Sequence, residues 1–204
     1  MDAALAARAI AVQQRAGGRV VIGITGSPGA GKSTIAAELC DALGARAALV
    51  PMDGFHLANR VLTELGRGER KGAPDTFDVG GYVALLQRLR DPGTETVYAP
   101  AYERSIEEPI ANAIPVAPSV DIVVTEGNYL LYGSGGWERV RPLLDAAWFV
   151  GLEHGIRLER LVARHRAVGK SPADALAWSH GPDEANASLI EPTRALADLV
   201  IGNP

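Results

Sequence analysis

Short apolar runs alternate with amphipathic stretches along most of the chain. Residues 19–25 (RVVIGIT) are a β-branched apolar run of the kind that a parallel strand buried on both faces requires, and residues 120–126 (VDIVVTE) and 145–152 (DAAWFVGL) repeat it. Weaker runs at 45–52 and 197–202 add two further strands. Between them the spacing becomes helical. Ile35, Leu39 and Leu43 mark a helix over 32–43, Val83, Leu86 and Leu89 one over 79–89 started by Asp78, and Leu158, Leu161, Val162 and His165 one over 156–168. Residues 1–18 read as a leading helix stopped at Gly17-Gly18. Residues 56–65 predict a helix, 137–144 a short one containing Pro142, and Ser171-Pro172 the start of another that runs to about Ser179. This order predicts an α/β fold of three layers, a mostly parallel five-stranded sheet with helices on both faces, in one domain spanning 1–204.

Two stretches fall outside this rhythm. Residues 66–78 (GRGERKGAPDTFD) make a charged loop with Arg67, Arg70 and Lys71, which is either solvated or closes over an anionic substrate. Residues 94–102 alternate like a strand, but Pro100 keeps them off a central position. With three prolines in 103–119, the whole of 94–119 reads as an insertion beside the main sheet. Tyr98, Tyr102 and Arg104 there either line a substrate pocket or cover a surface hairpin.

The chemistry begins where the first strand ends. Gly26-Ser27-Pro28-Gly29-Ala30-Gly31-Lys32-Ser33, followed by Thr34, reads G-x-x-x-x-G-K-[ST], between a predicted strand and a predicted helix. In that context the glycines let backbone N–H groups turn toward phosphate oxygens at a helix N-terminus. Lys32 would reach the β- and γ-phosphates of a bound nucleotide, and the Ser33 hydroxyl would be a ligand for Mg²⁺. Asp53 and Glu126 both stand at the carboxyl ends of predicted strands, where α/β proteins bind ligands. Asp53 either accepts a hydroxyl proton or helps hold Mg²⁺, or else caps the helix that follows. Glu126 emerges near the phosphates and takes the metal role, against a salt bridge to a nearby arginine. Arg157, Arg160 and Arg164 fall on a stripe beside the apolar face of their helix, either as a lid for transferring phosphate or as a solvated face paired with Glu159.

Composition narrows the field. The net charge of −4 argues against general nucleic-acid binding, and no run of eighteen apolar residues predicts a membrane span. Arg8 and Arg15 interrupt the stretch where a signal peptide needs apolar residues, and Cys40, the one cysteine, cannot pair internally; both fit a cytoplasmic protein. Asp78-Val79-Gly80-Gly81 matches D-x-x-G but follows no apolar strand, and N-K-x-D is absent, which argues against a GTPase. The four histidines have no metal-ligand spacing. The oligomeric state, a homodimer included, is left open.

The stretches GSPGAGKST (26–34), MDGFH (52–56), RKGAPDTFD (70–78), VVTEGNYLL (123–131) and RLERLVARHR (157–166) together resemble the P-loop kinase group of uridine kinases, phosphoribulokinases and bacterial pantothenate kinases. They are similar to bacterial proteins labelled nucleoside/nucleotide kinase family or fructose-transport-system kinase. The resemblance implies an ATP- and Mg²⁺-dependent kinase of a small hydroxyl-bearing metabolite. Asp53 would be the general base, Glu126 would bind Mg²⁺ with Ser33, and Arg160 and Arg164 would be lid arginines. The acceptor pocket is expected from Asp53, Phe55, His56, Lys71, Tyr98, Tyr102 and Arg104, although around Tyr98 to Arg104 the chain departs from the uridine-kinase pattern, and the family's adenine pocket draws on a last loop around residues 186–194. The competing reading is a nucleotide-dependent switch or chaperone that hydrolyses ATP slowly, and it leaves Asp53 and the 66–78 loop without a purpose.

Overall fold

A computed structural model of the chain describes residues 3–91 and 93–202. The runs read as strands become β1 (Val20–Thr25), β2 (Ala47–Pro51), β5 (Ile122–Glu126), β6 (Ala146–Gly151) and β7 (Leu199–Gly202). They pair in the order β2-β5-β1-β6-β7, every pair parallel, with Ile24 opposite Glu126 on one side and Trp148 on the other. Successive residues of β1 and β5 go to opposite faces, which explains why these strands are apolar throughout. Val21 and Val123 join a core beneath α4 (Val79–Arg90), with Tyr82, Leu86, Leu89 and Trp137. Val20, Ile22, Ile24 and Val124 join a second core beneath α1 (Ala3–Ala16) and α2 (Lys32–Leu43), with Ala9, Ala36 and Leu39. The result is the three-layer α/β arrangement that the alternation predicts. Met1 and Asp2, the start of the expected leading helix, lie outside the described residues.

Residues 94–119 do lie beside the main sheet, as an antiparallel hairpin of β3 (Val97–Glu103) and β4 (Glu108–Val116) whose register shifts around Pro100. Asp78 caps α4 by accepting from the Gly81 amide at 2.8 Å, so the D-x-x-G match is a helix start. Ser171 likewise caps α6 (Pro172–His180).

Three expectations are corrected. The helix read over 56–65 shrinks to α3 (Asn59–Glu64), because residues Met52–Phe55 form a 3₁₀ turn and His56 bridges to Phe77. Asp53 therefore caps nothing. The α3 amide of Asn59 instead donates to the Glu108 carboxylate from the hairpin at 3.0 Å, a contact no local pattern reveals. Residues 137–144 form two 3₁₀ turns, Trp137–Arg139 and Arg141–Leu143, since Pro142 has no N–H for an α-helical ladder. Finally, the segment expected as a last loop is largely helical: α7 (Pro182–Ile190), then a 3₁₀ stretch Glu191–Leu196. Proline at its first position with Asp183 and Glu184 in the first turn was the available signal.

Candidate active site

The turn from β1 into α2 is set by three glycines in backbone conformations that side chains resist: Gly26 (φ 145°), Gly29 (φ 82°) and Gly31 (φ 95°). Space forbids a side chain as well. A Cβ on Gly26 would stand 2.5 Å from the Val150 carbonyl oxygen, and one on Gly29 2.7 Å from Leu161 Cγ. Gly31 caps α2 without a side-chain hydrogen bond, leaving the first amides of that helix for an anion.

Lys32 is buried at the start of α2, and its Nζ donates to the Ser27 carbonyl at 3.0 Å. Burial pulls its pKa down to about 8; the charges of Glu126 and Asp53 oppose that fall and Arg164 adds to it. Ser33 Oγ donates to Glu126 Oε1 at 3.0 Å. Burial, then the nearby Asp53 charge, pushes the Glu126 carboxyl up to about 7, against Lys32 and the Ser33 hydrogen bond. A hydroxyl and a buried, under-compensated carboxylate side by side are an oxygen donor set that suits Mg²⁺, which takes few protein ligands and keeps phosphate and water oxygens for the rest. The hydrogen-bond partner of Glu126 is thus a hydroxyl, and among the described residues no arginine stands within ion-pair distance of it, Arg104 acting only from farther off.

Asp53 lies in the turn after β2, with Arg104 of the hairpin 3.9 Å from its Oδ2. His56 sets its Nδ1 2.8 Å from the Asp53 carbonyl oxygen and lies between Phe77 (4.0 Å) and Tyr102 (4.7 Å); burial lowers its pKa. Lys71 donates to Asn59 Oδ1 and to the Glu107 carbonyl, each at 2.5 Å, and stands 5.3 Å above the Tyr102 ring. All these groups face one cleft of about 350 Å³, together with Pro28, Lys32, Ser33, Glu126 and Arg164.

Other residues expected here lie elsewhere. Phe55 packs its ring 5.2 Å from Tyr82 in the core, and Tyr98 points out from the hairpin, half-exposed. The arginine stripe splits three ways. Arg157 is buried and donates to the Pro28 carbonyl at 3.3 Å and to the Glu184 carboxylate, Arg164 lines the cleft, and Arg160 sits on the exposed side of α5 (His154–Ala167) outside it. The buried face of α5 is Arg157, Leu161 and His165, because a guanidinium with a carbonyl and a carboxylate to bind can be enclosed.

The sequence reading reached one wall of the cleft only at Asn186, the edge of the segment expected at the adenine pocket. His165 and Asp183 form a buried pair at 2.7 Å, Lys170 stands 4.4 Å over the Trp178 ring, and Asn186 donates to the Gly72 carbonyl at 3.3 Å. The i, i+3 spacing of Asp183 and Asn186 would put both on one face, but only once residues 182–190 are known to be helical.

Comparison with known proteins fits this geometry. The model of the "Phosphoribulokinase / Uridine kinase family" matches residues 21–203. A protein of Schizosaccharomyces pombe named "Putative uridine kinase C227.14" is 30% identical over 194 residues, covering 90% of this chain and 83% of its own. "Pantothenate kinase" of Clavibacter michiganensis subsp. michiganensis is 30% identical over 209 residues, 89% of this chain and 65% of its own. Among solved structures, one described as a "putative fructose transport system kinase" from Silicibacter sp. TM1040 is 38% identical and covers 98% of this chain and 99% of its own, with a TM-score of 0.87.

Proposed function

Because the chain belongs to the phosphoribulokinase/uridine kinase family, we propose that this cleft moves the γ-phosphoryl group of ATP onto a hydroxyl of a small metabolite: a nucleoside, a pantothenate-like compound or a sugar. The coarser statement holds by membership: this is an ATP- and Mg²⁺-dependent small-molecule kinase with an alcohol group as acceptor. The observation that carries the finer one is convergence. Lys32, Asp53 and Glu126 follow or end three neighbouring parallel strands, β1, β2 and β5, and face one cleft.

The chain's own residues divide the work. The amides at the start of α2 and the Lys32 ammonium bind and orient the phosphates, and Arg164 adds positive charge where the transferred group passes. Ser33 and Glu126 would hold Mg²⁺, which when bound neutralises charge on the phosphate oxygens. Asp53, beyond the phosphates, takes the proton of the acceptor hydroxyl as that oxygen attacks phosphorus. Tyr102, His56 and Lys71 form the acceptor wall. Most of the rate enhancement in such a site comes from positioning and fixed charge.

ADP release from ATP·Mg²⁺ tests this against a panel of nucleosides, pantothenate and sugars, with Lys32→Ala as blank. One compound should raise ADP release well above background and appear phosphorylated by mass spectrometry. Slow hydrolysis above the blank, indifferent to every compound, would point to the nucleotide-dependent switch instead.

A further inference from the structure

Resting on the phosphotransfer reading above, we infer that the acceptor is an anion: a compact hydroxy compound whose carboxylate or phosphate monoester lies close to the hydroxyl that is phosphorylated. Two cations at the acceptor end of the cleft lead to it. Lys71 is half-buried, and both of its hydrogen-bond acceptors, Asn59 Oδ1 and the Glu107 carbonyl, are neutral. They fix the direction of the ammonium and give it no countercharge at contact distance, its other neighbour being the Tyr102 ring at 5.3 Å. Among the described residues no carboxylate stands within ion-pair distance of it, although Glu107 and Glu108 attract it from farther off. Burial lowers the pKa of Lys71, the mark of a cation short of solvation.

Arg104 is the second cation. Its guanidinium is largely exposed, and among the described residues the one carboxylate within ion-pair distance is Asp53 at 3.9 Å. Arginines with structural duties in this fold sit much closer to their partners: Arg46 to Asp121 at 2.7 Å, Arg70 to Asp75 at 2.6 Å, Arg90 to Asp145 at 2.8 Å. Arg104 thus keeps donors for a ligand. An oxyanion bound there would take up the guanidinium donors that the loose contact with Asp53 leaves open. The exposed Glu107 carboxylate also faces this end, but water screens it more than it screens half-buried Lys71. The charged loop 66–78, whose Arg67 and Arg70 are taken up by Asp75, thereby acquires a purpose, since it carries Lys71.

The test is turnover of matched pairs with ATP·Mg²⁺: glycerate and glycerol, pantothenate and panthenol, fructose 6-phosphate and fructose, with uridine as a neutral nucleoside. The anionic member of one pair should exceed its neutral partner in kcat/KM by about tenfold or more, and which pair responds separates carboxylate from phosphate. Lys71→Met and Arg104→Gln should each raise the KM of that acceptor by about tenfold while the KM of ATP stays within about twofold, with Lys71→Arg restoring most of the loss. Arg104 is exposed on a hairpin turn, so its variant tests the inference even where Lys71→Met folds poorly. Neutral members turning over as well as anionic ones, or an acceptor KM unmoved in both variants, would overturn it and leave the kinase intact. Turnover no better than Lys32→Ala for every compound would instead overturn the phosphotransfer reading itself.

Discussion

Lys32, Asp53 and Glu126 carry the sharpest consequences at the scale of single residues. Asp53→Asn keeps the shape of the turn and removes the base, so kcat should fall by about 10²–10⁴ with the KM of ATP little changed. Lys32→Ala should cost about 10²–10³ or more and weaken ATP binding as well. Steady-state kinetics on proteins with unaltered circular dichroism checks both, and near-normal turnover in either variant would remove that residue from its role. The buried carboxyl also leaves a mark on stability. With EDTA and no nucleotide, Glu126 titrates near 7 in the folded chain against an ordinary 4.5. Between those values the folded state keeps a proton that the unfolded chain has released, so this group's contribution to stability falls as pH rises from about 4.5 to 7. Lys32 acts in the next window. Its pKa near 8 against an ordinary 10.5 means the unfolded chain holds the extra proton, and stability rises as pH climbs between them. Urea titrations from pH 5 to 7 should show wild type losing stability relative to Glu126→Gln; a parallel pair of curves would contradict the burial argument.

Among the elements, α5 and α7 hold the phosphate loop from behind. Leu161 fills the space against Gly29, Arg157 ties the Pro28 carbonyl to Glu184 on α7, and Ser27 donates to Glu191 just beyond α7 at 2.5 Å. Asn186, on the same helix, reaches across to the Gly72 carbonyl, which also accepts from the Tyr129 hydroxyl at 2.5 Å. One helix therefore braces both the nucleotide loop and the loop that carries Lys71. Arg157→Met should destabilise by about 2–3 kcal/mol, below the cost of a fully buried pair because Glu184 keeps partial access to water. It should also raise the KM of ATP more than that of the acceptor. A denaturant midpoint and a KM for ATP both unmoved would show that α5 packs without Arg157's help. The helix spacing of α5 was legible in the sequence, yet the fate of its arginines was not. Whether a guanidinium is enclosed depends on a carbonyl and a carboxylate distant in the chain.

At the scale of the whole molecule, the sheet order decides where chemistry can occur. Placing β1 between β5 and β6 brings the ends of β2, β5 and β1 together at one edge of the cleft, and the hairpin and α7 close it from two sides. A ligand bridging these parts should stabilise the entire fold. At about 100 times its Kd, Mg²⁺ with a non-hydrolysable ATP analogue should add about 2.7 kcal/mol, or a rise in Tm of about 5–10 °C for a chain of this size. Scanning calorimetry should find that rise in wild type and lose most of it in Lys32→Ala. An equal shift in both would mean that the nucleotide binds elsewhere.

The phosphate loop, the five strands and most of the helices are legible along the chain, because each rests on a local rule: glycines where side chains cannot go, unbroken apolar runs for strands covered on both faces, and caps at helix starts. Met52–His56 was legible as a turn that carries an acid, though not as a turn that ends before any helix begins. Packing between distant segments sets the rest: Tyr98 and Phe55 leave the cleft, Arg157 is enclosed while Arg164 is not, and Asp183, His165 and Asn186 form a wall. The partners of Lys71 also lie apart from it along the chain, Asn59 twelve residues away and Glu107 thirty-six. Burial and charge at such positions are set by contacts between distant segments, and periodicity along the chain carries no record of them.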